Sequence, residues 1–317
     1  MLAVLLLLAR PGVSEAQVRR EFTEVHMGVP VRLVLHAPSD SVARAAARAA
    51  FARVAELDEK MSDYRPGSEV RRLATRSRVW TQLSPELFRV LARAIDVARL
   101  SGGAFDPTLA PLVALWREAR RVGRLPAPDA MTAARQKVGW QHLQLDTMAQ
   151  RARLDRPGMH IDLGGIAKGY IVAEALRILR ANGAPASLVE AGGDIAVGEA
   201  PPGASGWAIT IPGADSGTAR RARHLTNVSV ATSGATEQFV EIDGVRYSHV
   251  IDPRTGLGLT HRHVVTVIAR DGATADAAAT ALNVLGPDRG KALAAALDLE
   301  LVVWVPGPGQ GPSITWR

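Results

Sequence analysis

The sequence predicts an α+β fold, with mixed and mainly antiparallel sheets carrying packed helices. Short runs of alternating apolar and polar residues come in adjacent pairs separated by tight-turn residues, Asp243-Gly244 being the plainest, and this is how hairpins are written. Helical stretches stand among these pairs without the strict strand–helix–strand alternation of a doubly wound parallel sheet. With 47% hydrophobic residues in 317, the chain can also bury a large core, which excludes general disorder.

From the N-terminus, residues 21–36 alternate in the manner of one or two strands, turning at Gly28-Val29-Pro30. Ser39 and Asp40 then cap an Ala-rich helix that ends near Met61. Ser84-Pro85-Glu86 starts another helix, with a capping hydroxyl followed by proline at the first helical position, and Gly102 stops it. The next loop holds Ala104-Phe105-Asp106-Pro107. Residues 126–128 read as a surface connection, followed by a short helix and a hairpin of 142–145 against 152–155. That hairpin hands the chain to a short apolar strand around Ile161, two glycines, and an amphipathic helix running from about Ile166 to a stop at Asn182-Gly183. Leu188 and Val189 belong to the next strand, which enters a turn at Gly192-Gly193. Strands are expected over 207–211, 228–231, 239–242, 246–251 and 263–269, then a helix over 273–285 halted by Gly286-Pro287. A further helix, a strand over 299–305, a Pro/Gly loop and another strand follow, with no internal repeat or low-complexity tract.

The formal charge of +7 rests on 34 Arg and 4 Lys scattered among the helices, which reads as a solvated surface; no nucleic-acid stripe is expected. A mild attraction for an anionic dinucleotide is compatible with that excess. The absence of cysteine removes disulfides, thiolate metal sites and cysteine nucleophiles, leaving oxygen and nitrogen chemistry. Residues 1–9 are almost wholly aliphatic, and Ser14-Glu15-Ala16 offers the small-x-small pattern that precedes cleavage, here before Gln17. Residues 1–16 are therefore expected to be an export signal, with 17–317 as one working domain of a periplasmic or exported protein, held at the inner membrane if the segment stays uncleaved. The run lacks a basic residue ahead of it, so a plain apolar terminus is the alternative. It is too short to span a bilayer, which takes ~20 apolar residues.

The most informative stretch is Asp162-Leu-Gly-Gly-Ile-Ala-Lys-Gly-Tyr170. Glycines that run straight into a helix aim backbone N–H groups and the positive end of the helix dipole at one spot, which suits a phosphate or a carboxylate. Asp162 either accepts a hydrogen bond from a ligand or caps the helix. In a chain so poor in lysine, Lys168 reads as a compact charge for a phosphate, or as a surface lysine. Asp276 and Thr280 stand at i and i+4 on one helix, setting two hard oxygens on one face, which suits Mg²⁺. On spacing alone, a solvated Asp and a Thr bonded back to its own helix are the commoner meaning. His249 ends a strand just before the Asp252-Pro-Arg-Thr-Gly256 turn, a rigid place from which side chains reach a site, although a lone histidine is more often structural. Arg254 in that turn meets either a phosphate or water. Tyr64 lies in a polar loop and offers a stacking surface; Phe105 and Asp106 read as a loop anchor and a turn.

Met61-Ser-Asp-Tyr64, Ser101-Gly-Gly-Ala-Phe-Asp-Pro-Thr108, the Asp162–Tyr170 stretch, Ala191-Gly-Gly-Asp194, His249-Val-Ile-Asp-Pro-Arg-Thr-Gly256 and the Asp276/Thr280 pair resemble, in wording and order, the ApbE-type FAD:protein FMN transferases, over about residues 61–286. The resemblance implies an ApbE-like, T-fold-like form of the α+β class. It implies FAD as substrate, held by Met61, Tyr64, Ala104, Phe105, Asp106, Asp162, Lys168, His249 and Arg254. It implies Mg²⁺ on Asp276, Thr280 and the backbone carbonyl of Gly165, with His249 and Asp276 as catalytic groups. The reaction implied is transfer of the FMN moiety to a Thr or Ser hydroxyl of an acceptor protein, a membrane-associated electron-transfer subunit, with AMP leaving. Two rival readings use the same pocket: an FAD pyrophosphatase in which water attacks, and a non-catalytic flavin-binding accessory protein.

The chain departs from the family pattern in two places. Glu190 stands where many relatives have Asn before Gly-Gly-Asp, and Gly165 stands where others have Ala, Ser or Thr. Gly192-Gly193-Asp194 reads as a tight turn beside the nucleotide, since the following Ile195-Ala196 departs from a cyclic-dinucleotide cyclase motif. Ser233-Gly-Ala-Thr236 looks like the tail of an acceptor motif, but Val230 occupies its leading Asp position, so self-flavinylation at Thr236 is not expected.

Overall fold

Eight antiparallel strands form the main sheet, and they lie in space in the order in which they occur in the chain: Val18–His26, Val29–Ala37, Ser187–Ala191, Asp194–Val197, Val228–Gly234, Val264–Ala269, Leu301–Val305 and Ile314–Trp316. A computed structural model describes residues 17–211, 222–234, 239–307 and 312–316; the expected signal at 1–16 and Thr236 fall outside them. Eight α-helices occur among the described residues: α1 (Asp40–Met61), α2 (Glu69–Ala74), α3 (Pro85–Leu100), α4 (Ala110–Val122), α5 (Pro128–Arg135), α6 (Ala167–Ala181), α7 (Gly272–Leu285) and α8 (Pro287–Ala296). The expected α+β class with mainly antiparallel sheets is what the chain forms. None of these helices is long and apolar enough to cross a membrane.

Strand alternation gives the sheet two different faces. Leu33, Leu35, Val189, Val265 and Val267 point to one side and bury against α1, α6 and α7 in the largest core. Val34, Leu188, Val197, Val230, Ile268 and Val303 point to the other, under Trp207 and Ile209 of a hairpin formed by Trp207–Thr210 and Ala222–Leu225. A smaller unit gathers around Trp116 of α4, where Ile242 and Ile251 from two short hairpins pack, and its indole N–H donates to the Ser248 carbonyl at 3.0 Å. α5 adds Met131 and Ala134 to Leu112 beside it.

Several ends obey the expected capping chemistry: Ser39 and Ser84 accept from the amides of Val42 and Leu87, and Gly183 closes α6 with φ 84°. Several details differ from expectation. The first hairpin turns at Met27-Gly28 (φ 53° and 74°), while Pro30 lies within the second strand opposite Val25, one residue before that strand's ladder to Ser187–Ala191 begins at Val31, where no amide donor is needed. The expected strand around Ile161 is not formed. Its side chains are buried, but the Asp162 amide finds only the Pro107 carbonyl of a loop, so no ladder develops. α2 and α4 are helices that the sequence reading leaves unassigned, and Ala222–Leu225 is an additional strand.

The starts of α6 and α7 approach each other closely. A Cβ on Gly169 would lie 2.1 Å from the Gly272 carbonyl oxygen, and one on Gly272 would lie 2.2 Å from that of Gly169. Only glycine at both positions lets the two helix starts cross this closely, and the crossing brings Asp276 to the first turn of α6.

Candidate active site

At that crossing the Gly169 amide donates to Asp276 Oδ2 at 3.1 Å, so a residue of α7 supplies the missing partner for the first turn of α6. The Lys168 ammonium bonds to Asp194 Oδ2 and lies 3.8 Å from Asp276 Oδ2. Asp194 is delivered by the Gly192-Gly193 hairpin turn, whose φ values of 55° and 94° favour glycine. Two buried carboxyl groups therefore face one ammonium. Burial pushes both carboxyls up from the usual carboxylate range, Asp194 further by the nearby Asp276 charge, while Lys168 pulls both back. Burial alone would depress the Lys168 amine, but Asp276 and Asp194 outweigh it and hold it above its ordinary value. Lys168 is thus a half-buried ion-pair partner rather than a free surface lysine.

Thr280 and Gly165 sit against this cluster. A Cβ at Gly165 would meet Thr280 Oγ1 at 3.0 Å and the Phe105 ring at 3.3 Å, so glycine lets a hydroxyl and an aromatic ring close on the turn. A buried carboxylate beside a hydroxyl and a backbone carbonyl is the hard-oxygen donor set that Mg²⁺ takes, and the residues present fit that ion. No group of three or more His, Asp or Glu that could hold a metal occurs among the described residues, so the donor set here rests on one carboxylate, a hydroxyl and a carbonyl. The glycine turn is less open to a phosphate than its sequence suggests. Gly164 donates to Asp162, Ile166 and Ala167 to the Leu163 carbonyl, and Gly169 to Asp276.

The cluster lies in a cleft of about 900 Å³ between the sheet body and the α4 unit. Asp162 is on its wall but does not cap α6, whose N-cap is Ile166; its Oδ1 accepts from Gly164 at 2.7 Å, and its Oδ2 is 3.5 Å from Arg117 Nη2. Burial and the Asp63 charge raise the Asp162 carboxyl against the pull of the Gly164 amide and Arg117. Ala104, Phe105, Asp106, Tyr64 and His249 also line the cleft. The Asp106 carboxylate, however, is engaged by the Thr108 amide and hydroxyl and by the Trp140 amide, so it shapes the loop. His249 is solvent-exposed on the wall that follows the Val245–Ser248 strand.

Two expected nucleotide contacts are not brought to the cleft. Met61 is buried in the main core at the end of α1, and the Arg254 guanidinium is exposed and paired with Asp252 of its own turn, at 2.8 Å. Glu190 also faces elsewhere: it pairs with Arg32 on the neighbouring strand at 2.7 Å, which accounts for a carboxylate at that position without assigning it to the ligand. Conversely, Val113, Trp116, Arg117 and Arg120 of α4 and Thr232 and Ser233 of the sheet line the cleft and were not expected to. The apolar spacing of Leu112, Val113, Trp116 and Ala119, between Pro111 and Gly123, is a signal that could have found α4.

A cleft of this size, lined by charged and polar side chains at a crossing of two helix starts on an α+β scaffold, is the candidate active site of the chain. A model of the ApbE family matches residues 27–303, and the chain belongs to that family. Among its relatives are the FAD:protein FMN transferases of Vibrio cholerae, 34% identical over 257 residues (79% of this chain, 76% of that protein), and of Haemophilus influenzae, 33% identical over 261 residues (79% and 75%). The flavinyl transferase ApbE of Pseudomonas stutzeri, solved in its apo form, superposes with a TM-score of 0.80 at 30% identity over 95% of both chains. The ApbE protein of Thermotoga maritima gives 0.79 at 30% identity, over 95% of this chain and 97% of that one.

Proposed function

We propose that this protein is a Mg²⁺-dependent FAD:protein FMN transferase that moves the FMN moiety of FAD onto a threonine or serine hydroxyl of an acceptor protein and releases AMP. The observation that carries the reading is the carboxyl–ammonium cluster of Asp194, Lys168 and Asp276, set beside Thr280 and Gly165 in a cleft large enough for a dinucleotide. The relatives' activity supplies the reaction. Asp276, Thr280 and the Gly165 carbonyl would hold the ion, which when bound neutralises pyrophosphate charge. Lys168 keeps its ammonium charged at the floor, where it faces incoming phosphate oxygens. Asp162 and the Phe105 ring border the nucleotide. His249, exposed on the wall, accepts the proton of the attacking hydroxyl as its oxygen bonds to the FMN-side phosphorus and the bond from that phosphorus to the AMP oxygen breaks.

Residues 1–16 support export, and an exported transferase would meet acceptors that are membrane-associated electron-transfer subunits. N-terminal sequencing of protein recovered outside the cytoplasm should begin at Gln17; an intact Met1 there would mean that the segment is retained. Activity is tested by intact-protein mass spectrometry on an acceptor carrying Asp-x-x-Thr-Gly-Ala-Thr, given FAD and Mg²⁺. A metal-dependent gain of one FMN on the acceptor threonine is expected. Free FMN and AMP beside unmodified acceptor would instead make the protein a pyrophosphatase, and bound but intact FAD would make it a carrier.

A further inference from the structure

Arg117 projects from α4 into the cleft and ties together three groups from distant parts of the chain. Its Nη1 is 2.8 Å from Asp63 Oδ2, its Nη2 is 3.5 Å from Asp162 Oδ2, and its guanidinium carbon stands 4.5 Å from the centre of the Tyr64 ring. Tyr64 is 75% exposed although it lines the cleft, so little else packs against its ring. An aromatic side chain standing in solvent loses rotamer freedom when a ligand stacks on it; a ring already held by a guanidinium has lost that freedom beforehand. The contact covers one face of Tyr64 and leaves the other open. Asp63 and Asp162 are like charges at a cleft that must admit an anion, and Arg117 lies between them and offsets part of their repulsion.

Resting on the reading of the cleft as an FAD site, we propose that Arg117 is a positioning residue for the substrate: it holds Tyr64 so that the ring's free face stacks on a planar ring of the dinucleotide. Arginine suits this role better than lysine, because a planar guanidinium can stack on the ring while its fork engages two carboxylates.

FAD affinity, read at equilibrium from quenching of flavin fluorescence without acceptor, separates this proposal from its alternatives. Arg117→Met should weaken FAD binding roughly tenfold, the scale of one aromatic or cation–π contact, and raise KM with kcat changed less than about twofold. Arg117→Lys should recover only part of the loss. Tyr64→Leu should weaken binding to a similar extent, and the double variant should bind no worse than the weaker single one, because Arg117 acts through Tyr64. Wild-type affinity in both Arg117 variants would overturn the proposal, as would losses that multiply in the double variant, which would mean that Arg117 meets the ligand independently. A wild-type protein that fails to bind FAD at all would overturn the reading of the cleft, and this inference with it. If Arg117→Met does not fold, Arg117→Lys decides: affinity about threefold weaker supports the stacking role, and unchanged affinity overturns it.

Discussion

Position 169 shows how narrowly the site is specified at the level of single residues. A methyl group there would sit 2.1 Å from the Gly272 carbonyl oxygen and 2.7 Å from the Asp276 Cβ, against backbone that cannot swing aside. Gly169→Ala should therefore cost roughly 1–3 kcal/mol, seen as a lower denaturant midpoint at unchanged slope; a midpoint matching wild type would show that the helices can separate freely. Asp276 is governed by charge rather than space. Burial holds its carboxyl above the usual range, so its ionised form costs stability near neutral pH, and the cost falls away as pH drops and the group protonates. Asp276→Asn, which keeps an acceptor for Gly169 and leaves Lys168 with Asp194 alone, should melt no lower than wild type in chelator. Saturating Mg²⁺ should raise the wild-type melting temperature by several degrees, since a hundredfold excess over Kd adds about 2.7 kcal/mol, and should leave the variant unmoved. An equal response to Mg²⁺ in both proteins would remove Asp276 from the ion's ligands. The Asp276/Thr280 spacing was legible in the sequence because i and i+4 share a helix face. The pairing of Lys168 with Asp194 was not, because it depends on a turn 26 residues away.

Long elements with chemical punctuation were the ones the sequence disclosed most readily. α1 and α3 open on serine caps, and α7 ends at Gly286. α4 has no side-chain cap at Leu109 and is marked only by Pro111 and an αL Gly123, while α2 is only six residues long, too short for a periodicity to emerge. Arg117 was hidden with α4, since nothing local indicates that the helix lies against Asp63, 54 residues earlier. Between elements, α1, α3 and α6 are joined by Arg53, which pairs with Glu86 at 2.8 Å and Glu174 at 3.1 Å, and by Lys60, 3.0 Å from Glu86. Burial works against the charged Glu86, but the Arg53 bond, its own amide and Lys60 outweigh it and hold its pKa at about 2, below the ordinary 4.5. A carboxyl lowered in the folded state adds stability above its unfolded value and loses it as pH falls through the folded one. Glu86→Gln should therefore lower the melting temperature at neutral pH, with the gap to wild type closing between about pH 4.5 and 2. A gap independent of pH would assign the loss to packing instead.

On the scale of the whole molecule, the cleft joins two parts of unequal strength. The sheet with α1, α6 and α7 encloses one extensive core, whereas the α4 unit rests on two small clusters around Trp116 and Leu112. Regions with few buried apolar groups open at lower free energy than the global transition, so the α4 unit should exchange its amide hydrogens faster than the main sheet in the free protein. The cleft draws its wall from both parts, from Gly165, Lys168 and Asp276 on one side and Val113, Trp116, Arg117 and Ile251 on the other. A ligand spanning them must suppress openings of the weaker part in order to stay bound. FAD with Mg²⁺ should therefore slow exchange chiefly in Ala110–Val122 and in the hairpins of Phe239–Ile242 with Val245–Ser248 and Ile251–Asp252 with Leu257–Gly258, while Val264–Ala269, already buried at the sheet centre, changes little. Hydrogen-exchange mass spectrometry reads each segment separately. Protection confined to the α6 and α7 ends, with α4 unchanged, would mean that the substrate sits on the sheet body alone and that the α4 wall serves the acceptor instead.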